Sequence, residues 1–152
     1  MEIESEYSKL SQTSVGIVYG NISFYLGKKA NSTSSHKWVC YVRGFENRSI
    51  SHFVKSVTFT LHPSFKDPLR IISEPPYEIH EVGWGEFDIG IKISFYDQAF
   101  KDLEINHLLK VTNYYLKLHP TQANTNISTK KPVISEQYDE IVFVNPSVMF
   151  FI

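Results

Sequence analysis

The chain has 152 residues and one cysteine, Cys40. A single thiol excludes an intramolecular disulfide framework and any zinc site built on thiolates, because both need several sulfurs. A reducing compartment is the expectation. Net charge is also nearly absent. Fifteen basic and sixteen acidic side chains leave −1, so no overall field draws the chain to nucleic acid or membrane, and charge-driven binding must be local. No stretch approaches the ~18 consecutive apolar residues of a membrane span. The first fifteen residues lack the basic start and apolar block of a secretory leader, so the four Asn-x-Ser/Thr sites at Asn21, Asn31, Asn47 and Asn126 are expected to stay unglycosylated. Seven glycines and seven prolines are too few for a linker-rich or disordered chain.

Catalytic and cofactor signatures are missing as well. None of His36, His52, His62, His80, His107 and His119 stands at a His-x3-His or HExxH spacing, and no GxSxG, Walker or GxGxxG run occurs. No metal, no cofactor and no enzymatic activity are expected. Cys40 sits within a strand pattern, as a small buried hydrophobe rather than a nucleophile.

What is abundant is aromatic side chain: nine Tyr, eleven Phe and two Trp, 14% of the chain. Much of it lies in two-residue alternation. Residues 87–95 put Phe87, Ile89, Ile91, Ile93 and Phe95 on one face and Asp88, Gly90, Lys92 and Ser94 on the other, a strand with a dry and a wet side. Residues 36–43 place Trp38, Cys40 and Val42 together. Residues 53–62 align Phe53, Val57, Phe59 and Leu61, with Lys55 the odd member. Further strands are expected at 15–26, 77–82, 110–118, 132–134 and 141–144, with one helical turn over 135–140. The apolar ending, 148–152, reads as a last strand or an interaction surface. Seven or eight short antiparallel strands without a long helix indicate an all-β sandwich. One domain over 15–152 follows a flexible segment, 1–14.

Two loops stand apart. Leu61-His62-Pro63-Ser64-Phe65 sets a hydroxyl and an aromatic together just past a strand, and Gly83-Trp84-Gly85-Glu86-Phe87 holds a Trp between glycines. Taken singly, Phe65 and Trp84 read equally well as core plugs. Taken together they make two walls of a slot.

The run from His36-x-Trp38 through Leu61-His62-Pro63-Ser64-Phe65, Pro68-Leu69-Arg70, Glu74-Pro75-Pro76-Tyr77 and Gly83-Trp84-Gly85-Glu86-Phe87 resembles the YEATS domain family. Within it, Val133-Ile134-Ser135-Glu136 and Gly-Trp-Gly-Glu-Phe look most like the glioma-amplified and Yaf-type branch. The resemblance implies an immunoglobulin-like β-sandwich that reads acylated lysine, acetyl or crotonyl, on histone tails such as that of H3. It also implies a nuclear subunit of acetyltransferase or histone-variant-exchange remodelling complexes, without direct nucleic-acid or membrane contact. Carried over by position, Phe65 and Trp84 would be the aromatic walls, Ser64 and the Trp84 N–H the amide partners, and His62 and Phe87 the base. Gly83 and Gly85 would permit close approach of the loop. Ser34 stands where the family often has an aromatic or His. Glu81, Glu86 and Asp88 would attract the basic tail. A methyl-lysine cage and a purely structural docking module are the competing uses of the same residues.

Overall fold

The computed structural model describes residues 12–31, 34–112 and 131–144. Eight strands run β1 Gln12–Tyr25, β2 His36–Gly44, β3 Val54–Thr60, β4 Leu69–Ile72, β5 Tyr77–Gly83, β6 Asp88–Phe95, β7 Leu103–Leu108 and β8 Val133–Val144. They form two antiparallel four-stranded sheets, ordered β5-β2-β1-β8 and β4-β3-β6-β7. The all-β, immunoglobulin-like sandwich is as expected.

Alternation explains the core. Trp38, Cys40 and Val42 from β2 and Ile17 and Tyr19 from β1 meet Val57, Phe59, Ile89, Ile91 and Ile93 from the facing sheet, all buried. Each fully buried aliphatic side chain contributes about 1.5–3 kcal/mol relative to exposure. Lys55 is accounted for by a register shift between Val54 and Ser56, where β3 bulges against β6. The extra residue lets Phe53 and Val54 both point inward while Lys55 reaches solvent.

Three expectations need correction. The segment 135–140 is no helical turn: it is the middle of the continuous β8, because Gln12 to Ser23 of β1 offer it twelve successive partners. Its polarity reflects exposure at a sheet edge. β1 begins at Gln12, three residues before the expected boundary, so only residues 1–11 of the supposed flexible segment remain, outside the described residues. Of the strand expected over 110–118, Lys110 to Thr112 lie outside any strand, after β7 at Leu103–Leu108; the rest of that stretch, like 148–152, lies outside the described residues. The four-residue β4 was not anticipated, being too short to show a period.

The aromatics gather at opposite ends of β3 and β6. At one end Phe53, Phe95 and Phe100 pack edge-on around Phe143, with centroids 4.9–5.5 Å from its ring. At the other end lie the loops that carry Phe65, Trp84 and Phe87. A buried polar knot holds that second end: Asn21 Nδ2 donates to the Lys110 carbonyl at 2.7 Å, Ser23 Oγ donates to the same oxygen at 2.8 Å, and the Lys110 N–H returns to Asn21 Oδ1 at 3.1 Å.

Candidate functional site

The β3–β4 loop leaves the sheet at Leu61, whose N–H bonds the Pro68 carbonyl at 2.8 Å and closes the loop's neck. Asp67 adopts a left-handed φ of 50° to make the return. Arg70 secures it, donating to the Lys66 carbonyl at 2.7 Å and to Glu81 on β5 at 2.8 Å. One guanidinium thus ties the loop to both sheets through charge-assisted bonds.

Within the loop, the Ser64 N–H donates to His62 Nδ1 at 3.1 Å, and Ser64 Oγ lies 2.8 Å from the same nitrogen. A nitrogen that accepts a backbone N–H carries no proton of its own, so the imidazole is protonated at Nε2. The hydroxyl proton is then given to Nδ1, and the lone pairs of Ser64 Oγ are left to accept from outside. Both side chains are exposed.

Behind this pair is a floor of rings. Phe87 is its centre: Phe65 lies 5.4 Å away at 44°, His62 6.0 Å at 64° and Trp38 6.2 Å at 69°. Trp38 also meets Phe65 edge-on, at 6.0 Å and 81°. Trp38 is fully buried, and its indole N–H has no acceptor among the described residues. Trp84 stands apart, 66% exposed.

Gly83 borders this floor. A Cβ built on it would lie 3.6 Å from Phe65 Cζ and 3.7 Å from Trp38 Nε1, ordinary contact, whereas one on Gly85 would meet nothing within 4 Å. Neither glycine relieves a steric overlap with the neighbouring residues. Gly85 is unconstrained by its neighbours, and Gly83 keeps space open above Phe65 rather than relieving a clash.

The acidic residues separate. Glu86 Oε2 accepts the backbone N–H of Val111 at 3.0 Å and of Thr112 at 3.5 Å, so this carboxylate holds the chain after β7 rather than standing free for a ligand. Glu81 is engaged by Arg70. Asp88 is exposed at the start of β6. Ser34 closes a small turn with Asn31 through reciprocal 3.4 Å backbone bonds.

Three contributors escaped the sequence reading. Ser35 Oγ lies 2.7 Å from His36 Nδ1 and donates to the Gly83 carbonyl at 3.4 Å, bracing the base of the Trp84 loop. Burial lowers the His36 pKa against the opposing pull of Glu86, which favours a neutral ring. Trp38, assigned to the core by its alternation, also floors the site. His36 and Trp38 belong to the motif already singled out, but only the fold shows them facing the loops.

Comparison with known proteins extends this geometry. Residues 33–113 match the YEATS family. Over 140 residues the chain is 49% identical to transcription initiation factor TFIID subunit 14b of Arabidopsis thaliana, covering 91% of this chain and 50% of that protein. It is 37% identical to the AF-9 homolog of Saccharomyces cerevisiae, covering 97% and 70%. The chain thus spans half of the plant relative and about two thirds of the yeast one. Among solved structures, the Yaf9 YEATS domain bound to H3K27ac aligns with a TM-score of 0.76 at 37% identity, over 94% of this chain and 93% of that one. The Yaf9 YEATS domain recognizing an H3K122suc peptide aligns at 0.73 and 38%. By the family match over residues 33–113 and these identities, this chain belongs to the YEATS family.

Proposed function

We propose that this chain is a non-enzymatic reader of acylated lysine on histone H3, with the slot between Phe65 and Trp84 as its binding site. The observation that carries the reading is the Ser64–His62 pair. A hydroxyl whose proton is committed to His62 is an acceptor for the N–H of an acyl amide, and it sits at the rim of a ring floor. The solved relatives bound to acylated H3 peptides support the same ligand class.

Selectivity follows from desolvation. An unmodified ammonium would lose water at a cost of several kcal/mol, and two of the neighbouring carboxylates, Glu86 and Glu81, are engaged elsewhere. The neutral amide needs only one acceptor and one donor, Ser64 Oγ and the Trp84 N–H. Ring contacts add about 0.5–1.5 kcal/mol each and each hydrogen bond about 1 kcal/mol, which gives micromolar-class affinity. Ser64 Oγ, an acceptor suited to an amide N–H, argues against a methyl-lysine cage, which surrounds a cation with aromatic faces.

By analogy with its relatives, the chain serves in the nucleus as a subunit of chromatin-modifying or transcription complexes. Calorimetry with acetylated, crotonylated and unmodified H3 peptides tests the reading. Acylated peptides are expected to bind, crotonyl at least as well as acetyl, with Phe65→Ala and Trp84→Ala each losing about tenfold. Equal affinity for the unmodified peptide, or turnover of the acyl group, would overturn it. The former would leave a structural docking module.

A further inference from the structure

The two walls of the slot stand on different sheets. Phe65 lies on the loop between β3 and β4, and Trp84 follows β5 of the other sheet. β4 and β5 are edge strands, and no ladder joins them. Each loop is braced on its own side: Leu61 bonds Pro68 at the neck of one, and Ser35 holds the Gly83 carbonyl at the base of the other. The edge-on contact of Phe65 with Trp38 limits how closely the sheets approach here, since packed rings resist compression far more than separation. None of these bonds keeps the two loops from parting.

Arg70 crosses between them. On β4 it lies opposite Phe59, and Glu81 on β5 lies opposite Trp38, so both side chains turn inward at the open edge of the sandwich, beside the ring floor. Arg70 Nη2 donates to the Lys66 carbonyl at 2.7 Å and to Glu81 Oε2 at 2.8 Å, while Nε donates to the Asp67 carbonyl. Lys66 is the residue after Phe65, and Glu81 leads through Val82 and Gly83 to Trp84. The paired side chains are 24% and 23% exposed, so solvent and salt screen them only in part. A planar guanidinium holds such partners in a fixed fork, which an ammonium on a flexible stem does not.

We propose, on the slot reading above, that Arg70 and Glu81 are positioning residues that set the width of the acyl slot and, through it, a preference for flat acyl groups. A crotonyl chain is planar and stacks on ring faces. A butyryl chain of the same length carries hydrogens on both sides of its carbons and needs a wider gap. Holding Phe65 and Trp84 together favours the first over the second. Without the strut the walls part, the flat chain loses ring contact, and the two acyl groups become alike. In this role the Glu81 carboxylate serves Arg70 rather than a basic tail.

The test uses Glu81→Ala, which removes the strut and leaves Arg70 on its two carbonyls, and Arg70→Lys, which keeps the charge and loses the fork. Crotonylated and butyrylated H3 peptides are titrated into each at low and high salt, and amide exchange is followed without ligand. The unaltered chain is expected to favour crotonyl about threefold, and both variants to bring that ratio to about one. Exchange at Phe65, whose N–H bonds the His62 carbonyl at 3.0 Å, should quicken in Glu81→Ala although Glu81 belongs to the other sheet, while the buried Ile91 stays protected. Equal binding of the two peptides by the unaltered chain, or an unchanged ratio in Glu81→Ala, would overturn the proposal. A salt-dependent loss equal for both peptides would also overturn it and mark Glu81 as a contact of the basic tail. So would unchanged exchange at Phe65. If neither peptide binds the unaltered chain while exchange at Phe65 does respond, the slot reading falls with the selectivity built on it, and the strut between the loops stands.

Discussion

Glu86 Oε2 accepts the backbone N–H of Val111 at 3.0 Å, two residues along the chain from the exposed Trp84. The carboxylate joins the Trp84 loop to the segment after β7, and that segment is held by Asn21 and Ser23 through the Lys110 carbonyl. The loop that carries Trp84 is thus anchored on its far side by Glu86, as Ser35 braces its base, and β1 reaches it through a polar relay.

Removing that anchor should loosen the wall without unfolding the protein. A hydrogen bond to a charged group is worth about 1.5–3 kcal/mol. Glu86→Ala is therefore expected to keep the fold, raise amide exchange at Trp84, Val111 and Thr112, and weaken acyl-lysine peptides by about tenfold. Glu86→Gln, which retains an acceptor oxygen, should recover part of the loss. A tail-contact role for the carboxylate would instead leave exchange at Val111 unchanged.

Gly83 and Gly85 should behave differently. A methyl at Gly83 would rest on Phe65 Cζ at 3.6 Å and Trp38 Nε1 at 3.7 Å, in contact but without overlap, in space the acyl chain would occupy. Gly83→Ala should change the melting temperature little and reduce acyl-lysine affinity several-fold. Gly85→Ala should leave stability unaltered. Thermal melts paired with peptide calorimetry on the two variants check both statements, and an unimpaired Gly83→Ala would place the ligand elsewhere.

How much of this the sequence shows depends on the range of the interaction. β2 and β6 are legible because Trp38-Cys40-Val42 and Ile89-Ile91-Ile93 alternate cleanly, and alternation is a local property. β8 is not: residues 135–140 are polar on both faces, and what makes them a strand is β1 alongside. The site divides the same way. His62, Ser64, Phe65 and Phe87 are legible as a motif, and the fold brings them together. Glu86 looked like a free charge because its partners are backbone amides 25 residues away, and Arg70 gave no sign of clamping Lys66 to Glu81. Bonds to main-chain atoms leave no trace in residue types.

Cys40 reports on global opening. Fully buried in β2, its thiol is pushed by desolvation up to about 12 from an ordinary 9.0. The native protein should resist a thiol reagent at pH 8, reacting only as fast as the sandwich unfolds. The sign at high pH follows: the unfolded thiol ionises from 9.0 upward while the folded one does not, so stability declines as pH rises between 9.0 and about 12. Rapid labelling of native protein would contradict the burial.

At the acid side the controlling group is His107. It is 2% exposed, with Nε2 2.7 Å from Asn21 Oδ1. An amide oxygen only accepts, so Nε2 carries a proton. Burial depresses its pKa below the ordinary 6.5, aided by Lys110 and opposed by Asp88. A base with a depressed folded pKa binds more protons when unfolded, so its contribution is complete above 6.5 and is lost as pH falls through 6.5 toward the folded value. His36 acts in the same direction. Denaturant midpoints should therefore drop between about pH 7.5 and pH 5.5. His107→Gln, which keeps a donor for Asn21 but cannot titrate, should flatten that slope and leave only the share of His36. Because Asn21 also holds Lys110, and Lys110 leads into the residues that Glu86 grips, acid should loosen the Trp84 loop before the sheets separate. Amide exchange at Val111 and Thr112 should accelerate at pH values where exchange at Ile91, in the centre of the core, is still slow. Simultaneous loss at all three positions would mean that His107 supports the whole sandwich and has no particular hold on the slot.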